Sequence, residues 1–253
     1  MTTHRQLALE LPTPAGHGGR RRGAGRKPAG DRAAASHHGR PEVTPRFPVH
    51  VTLRALDHVW NLRSRRSLRA IEAALSAMMR WREFRVVHFS VQGNHLHLLV
   101  EADDNRALAE GMQGLSVRLA RGLNRMMGRR GRVFADRYHA RVLATPSEVR
   151  RALAYVLLNA RSHLARTGDR PGRYAAFDWY SSAASFDGWS EAPPASDRPR
   201  LTSPPRSWLL ATGWKRRGLL SPLEVPGGSF PAIPRPTPRA RATPPSPSAP
   251  RPP

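Results

Sequence analysis

From Pro48 onward the chain alternates: Val49, Val51 and Leu53 are apolar, and His50, Thr52 and Arg54 between them are polar. That period of two predicts a strand buried on one face. Across Ser64 to Trp81 the period changes, with Leu68, Ile71, Leu75 and Met78 at three- and four-residue spacing, which predicts an amphipathic helix. Phe84 to Val91 reads as a second strand, joined through Gln92-Gly93-Asn94 to a third. A short glycine-containing link of this kind closes a hairpin. In the third strand Leu96, Leu98 and Val100 form one face and His95, His97 and Leu99 the other. Asp103 or Asp104 is placed to cap a long helix with the stripe Leu108, Met112, Leu115, Leu119, Leu123 and Met126, ended by Gly128 and Gly131. Val133 to Leu143 predicts a fourth strand, bent near Asp136. Thr145-Pro146-Ser147-Glu148 then supplies an N-cap, a proline at the first helical position and a glutamate three residues after the cap. The helix that follows buries Val149, Leu153, Val156 and Leu157.

Strand, helix, strand, strand, helix, strand, helix is the split βαβ order of an α+β, ferredoxin-like or RRM-like domain. Such a domain is an antiparallel sheet with helices on one face, here with one extra C-terminal helix. The domain is placed at residues 47–166. Residues 1–46 form an Arg/Gly-rich arm, including Gly18-Gly19-Arg20-Arg21-Arg22-Gly23, with too little apolar surface to offset ordering entropy, and are expected to be disordered. Residues 167–220 are an aromatic-containing extension in which Tyr174, Phe177, Trp179, Tyr180, Phe186 and Trp189 are candidates for a lid and Ser207 to Leu220 for a short docking helix. Residues 221–253 are a Pro-rich, disordered tail.

Charge narrows the partners. Formal net charge is +24, and among 42 basic residues only Lys27 and Lys215 are lysines, so nearly every positive group is a guanidinium that can fork onto phosphate. No basic amphipathic helix suits a membrane surface, and no segment has the length of a membrane span or the apolar core of a signal peptide. The absence of cysteine rules out disulfides and thiolate metal sites and fits a reducing, cytoplasmic and nucleoid-associated location.

His95 and His97 flank Leu96 and share one face of their strand, so two neutral imidazoles are positioned to hold one metal ion. A third oxygen or nitrogen donor is then needed, with a position left for substrate. On the last helix Tyr155 and Asn159 lie four apart, on a face extended by Ala152 and Ser162. Tyr138, beside His139 on the fourth strand, is a rival phenol. Arg118, Arg121, Arg125, Arg129, Arg130, Arg132, Arg137, Arg141 and Arg151 are the candidate phosphate contacts. His50-Val51-Thr52 and His88-Phe89-Ser90 also supply two His-x-Thr/Ser pairs, the pattern of a metal-independent phosphodiesterase, but closely spaced and without a duplicated lobe.

Asn94-His95-Leu96-His97-Leu98-Leu99-Val100, Gly131-Arg132-Val133-Phe134-Ala135-Asp136-Arg137-Tyr138 and Ala154-Tyr155-Val156-Leu157-Leu158-Asn159 together resemble the IS200-like single-tyrosine (HUH, Y1) transposases. These include the relatives associated with repetitive extragenic palindromes (REP), and the resemblance covers about residues 47–165. It implies Mg2+ or Mn2+ bound by His95, His97 and Asn159, and Tyr155 as nucleophile. The implied reaction is cleavage and strand transfer of hairpin-bearing single-stranded DNA through a 5′-phosphotyrosine. A homodimer or monomer is implied, with the tyrosine helix serving its own or a partner's site. Gly93 stands where the family usually has proline, and Ala160 follows Asn159 where many relatives have proline. The alternative is a non-catalytic or domesticated nucleic-acid-binding protein on the same fold.

Overall fold

Strands β1 (Val49–Arg54), β2 (Phe84–Val91), β3 (His95–Ala102) and β4 (His139–Val142) pair in the order β2-β3-β1-β4, each antiparallel to its neighbour. The computed structural model describes residues 42–135, 137–160, 177–191 and 198–226, all within one compact unit. Helix α1 (Arg65–Met78) carries the chain from β1 to β2, and α2 (Asn105–Met126) from β3 to β4. Each crossing skips one strand, which is how two interleaved βαβ units make an all-antiparallel sheet.

Side-chain alternation assigns the two faces. Val49, Val51, Leu53, Leu96, Leu98 and Val100 meet the apolar stripes of α1 and α2 in one core. In β2 a bulge between Val86 and His88 resets the alternation, so that Phe84, Val86, Phe89 and Val91 all reach this same core. Gly111 lets α2 lie against the sheet, because a Cβ there would collide with the Phe84 ring. On the opposite face Val87 and Leu99 pack under α3 (Pro146–Leu157). Helices α1 and α2 therefore share one face, and the extra helix α3 covers the other.

The helix starts follow local chemistry. Ser64 accepts from the Ser67 amide, Asp104 from the Ala107 amide, and Thr145 with Glu148 forms a reciprocal capping box. The fourth strand is shorter than the alternation suggests. Phe134 bridges only Ala55, outside the named strands, and regular pairing resumes at His139; Asp136 lies outside the described residues.

The described parts of the extension are core rather than lid. Phe186, Trp189, Leu209, Leu210, Trp214 and Leu220 join α3 in the second core, while Trp179 is 59% exposed. Ser207 to Leu220 contains a four-residue helix, Trp208–Ala211, and a 3-10 segment, Gly213–Arg217. Polar anchors help to hold this layer. The buried Glu101 carboxylate accepts from the Arg206 and Ser207 amides at 2.8–3.1 Å, and Arg150 forks onto Glu224 at 2.9 and 3.0 Å. Ordered contacts thus run past residue 220 into the Pro-rich segment. The arm up to residue 41, Tyr174, Arg161 to Arg166 and the tail from residue 227 lie outside the described residues. Among the described residues no helix is long and apolar enough to cross a membrane.

Candidate active site

Register decides which polar residues meet. The β1–β3 pairing sets Thr52 opposite His97, Arg54 opposite His95 and His50 opposite Leu99, and β2 sets Ser90 opposite His97. His97, 2% exposed, is therefore ringed by polar side chains from three strands. Its Nδ1 lies 3.2 Å from Thr52 Oγ1 and 3.3 Å from His50 Nε2. Its Nε2 lies 3.0 Å from Nε2 of His95, whose Nδ1 is 2.8 Å from Asn94 Oδ1.

These contacts orient the rings. Asn94 Oδ1 can only accept, so His95 carries its proton on Nδ1 and aims a lone pair from Nε2. A proton on His97 Nδ1, shared with Thr52 or His50, aims a second lone pair at the same point. The two Nε2 atoms are 3.0 Å apart, within hydrogen-bond distance of each other and close enough for one bound ion to take both as ligands. Burial, together with the charge of Arg141, pushes His50 down to about 4, so it meets His97 as a neutral imidazole at neutral pH.

Tyr155 reaches the same spot from the other layer. Its ring centroid is 5.0 Å from that of His97 and 6.0 Å from that of His50, edge-on to both. The capping box fixes where α3 starts, and Arg141 of β4 bonds the capping Glu148 at 2.9 Å, tying the helix to the sheet beside the imidazoles. Val149, Leu153, Val156 and Leu157 are buried in the second core, which leaves the half-buried Tyr155 at the margin of that packing.

Asn159 is 2% exposed, and its buried Oδ1 has no hydrogen-bond partner. Leaving a buried acceptor unsatisfied costs about 1–3 kcal/mol, and a hard cation is one way to satisfy it. Among the described residues no cluster of three or more His, Cys, Asp or Glu side chains is grouped to hold a metal. Tyr155 and Asn159 do not share one unbroken helix. Helix α3 ends at Leu157, Leu158 caps it at φ −111° and ψ 14°, and Ala152 is buried in the core. Val156, Leu157 and Leu158 are all buried, more than one helical face can cover, and the chain turns as it buries all three. Ser162 lies outside the described residues.

Tyr138 packs against the α1–α2 core, across the sheet from the imidazoles, in keeping with the alternation that sends Ala140 and Val142 the same way. The arginines divide likewise. Arg118, Arg121 and Arg125 sit on α2, across the sheet from His95 and His97 rather than around them. Arg129, Arg130 and Arg132 follow α2, with Arg132 bonded to the Ala135 carbonyl, and the exposed Arg137 precedes β4. Arg151 is exposed on α3 and donates to the Ser147 carbonyl. Of these candidates only Arg141, opposite His50, lies in register with the site. Arg54, opposite His95, was not among the sequence candidates and is the guanidinium placed beside that imidazole. Alternation marks His50, Thr52 and Arg54 as one polar face of β1, but only strand register shows what they meet. The two His-x-Thr/Ser pairs form no matched cleft: His88 is enclosed, with Nδ1 3.2 Å from Ser182 Oγ and its ring edge-on to Phe186, and burial pushes it down to about 4.

Residues 49–156 match the family model described as Transposase IS200 like. A solved structure of a REP-associated tyrosine transposase bound to a REP hairpin aligns with 13% identity and a TM-score of 0.43, over 51% of this chain and 74% of that one. Comparison with curated proteins gives no match. The segment that carries the sheet, both site histidines and Tyr155 is thus the part of the chain that is similar to the IS200-like transposases.

Proposed function

We propose that this domain cuts and rejoins hairpin-bearing single-stranded DNA through Tyr155, with Mg2+ or Mn2+ held by His95, His97 and Asn159. The observation that carries the reading is the convergence of two imidazole Nε2 atoms, 3.0 Å apart, beside the Tyr155 ring. When bound, the ion polarises the scissile phosphate. The phenolic oxygen of Tyr155 forms the new bond to phosphorus as the bond to the 3′ oxygen breaks. The phenol loses its proton and the departing oxygen gains one, which leaves a 5′-phosphotyrosine and a free 3′-OH. The reverse step, with a 3′-OH as nucleophile, rejoins a strand without an external energy source. In this reading Arg54 and Arg141, opposite His95 and His50 in the strand register, contact phosphates of the strand being cut.

The packing of α3 favours a site completed within one chain. Within one chain α3 already buries Val149, Leu153, Val156 and Leu157 in the second core and pairs Arg150 with Glu224, contacts that an exchanged helix would have to remake on a partner. A monomer therefore suffices for the chemistry.

Incubating purified protein with Mn2+ and a labelled hairpin-bearing strand should give a DNA–protein adduct that survives denaturation, is lost with EDTA and is absent from Tyr155→Phe. Tyr138→Phe should retain it. Tight binding without an adduct in any divalent ion would instead support the non-catalytic DNA-binding reading, and hydrolysis resistant to EDTA would support the phosphodiesterase pattern.

A further inference from the structure

We infer that the groove between α1 and α2, on the sheet face away from the imidazoles, holds the phosphodiester backbone of the duplex arm of the DNA that the domain processes. The inference rests on the reading of the domain as a DNA-cutting enzyme and adds a second contact surface to it. Arg66 and Arg69 of α1 and Arg121 and Arg125 of α2 rim a shallow groove that no carboxylate lines. All four are exposed. Among the described residues none of the four guanidinium groups forms a hydrogen bond or ion pair. Arg63, Arg106, Arg141, Arg150 and Arg198, by contrast, each pair with a carboxylate. Four like charges left unpaired along one groove repel one another, and an anionic partner relieves that repulsion.

The floor explains how both rims come to serve one ligand. Ala70 and Gly122 bring the helices together, and a Cβ on Gly122 would lie only 3.3 Å from that of Ala70. The guanidinium-bearing N-terminal half of α1 thus lies beside the guanidinium-bearing C-terminal half of α2. Ala73 and Ala77 continue the floor, so there is no deep apolar pocket of the kind that anchors a protein partner. No aromatic side chain lines the groove, which removes the stacking platform that unpaired bases need. What remains is charge at the spacing of a helix surface, the chemistry that grips a backbone without reading sequence.

The test compares wild type with the variant carrying Arg66→Ala, Arg69→Ala, Arg121→Ala and Arg125→Ala. Affinity is measured against salt for a stem-bearing strand and for a stemless strand of equal length, with circular dichroism to confirm the fold. Each phosphate contact contributes about 0.9 to the slope of log affinity against log salt. The slope on stem-bearing DNA should therefore fall by about 3 to 4, and by about half as much in the Arg121→Ala, Arg125→Ala double variant. The stemless strand should lose at least about tenfold less affinity than the stem-bearing one. An unchanged slope, equal losses on both strands, or displacement of the duplex by polyglutamate at equal charge concentration would each overturn the inference. Should wild type form no adduct while the variant still loses stem affinity selectively, the cutting reading fails and the groove stands. An adduct-forming wild type beside a variant that binds the stem normally sinks the groove alone.

Discussion

Removing what backs His97 Nδ1 tests whether the sheet, and not the metal alone, sets the geometry of the site. The perturbation is Thr52→Val and His50→Leu, singly and together. Thr52 Oγ1 and His50 Nε2 lie 3.2 and 3.3 Å from the same nitrogen, so either one can hold the proton on Nδ1 when the other is gone. Loss of such a supporting partner typically lowers metal affinity about 10- to 100-fold, or about 1.4–2.7 kcal/mol. With two interchangeable partners, each single change should fall at or below the lower end, and the double change should approach the upper. Mn2+ affinity in the absence of DNA, measured by calorimetry or by the loss of the free-ion resonance signal, reads this directly. The 15N shifts of His97 supply a second readout that ordinary destabilisation does not move: one tautomer with the proton on Nδ1 in wild type, a mixture in the double variant. Wild-type affinity and an unmixed tautomer in the double variant would refute the idea that β1 orients the ligand.

Two further outcomes follow from local energetics. Thr145→Ala removes the hydroxyl half of the capping box that starts α3 and should cost about 0.5–2 kcal/mol in denaturant melts, with faster hydrogen exchange in the turn that precedes Tyr155. His88 is buried and held down at about 4 against an ordinary 6.5, so between those values the unfolded chain binds the extra proton. Its contribution to stability is present in full above about pH 6.5 and is lost as pH falls toward 4, by up to roughly 3 kcal/mol. Replacing His88 with Gln should flatten that acid limb, and an unchanged slope between pH 6.5 and 4 would show that the ring is not buried neutral.

The features legible in the sequence were those fixed by neighbours along the chain. The span of β2, a cap for α2 at Asp103 or Asp104 and the Thr145–Glu148 box depend on a few adjacent residues, and the structure has them where the pattern puts them, with Asp104 as the cap. Long-range register was not legible. That His50, Thr52 and Arg54 would face β3 was apparent only as a polar side of a strand, and their meeting with His97 and His95 depends on an alignment that alternation leaves open by steps of two. The same limit hid the placement of Arg118, Arg121 and Arg125, since charge density along a chain carries no information about which side of a sheet a helix covers. Phe186, Trp189 and Trp214 lie in short irregular segments without a repeating period, so their role as the outer wall of the second core left no mark in the pattern. The turn at Leu158 was likewise masked by a sequence that continues to look helical.

The central claim is that Tyr155 is the group that takes the DNA. Mass spectrometry of the peptide left attached to a hairpin-bearing strand after reaction with Mn2+ and proteolysis tests it most directly. The nucleotide is expected on the peptide that contains Tyr155, as a 5′-phosphate ester of its phenol. A nucleotide found on the peptide of Tyr138, or on any other residue, would contradict it.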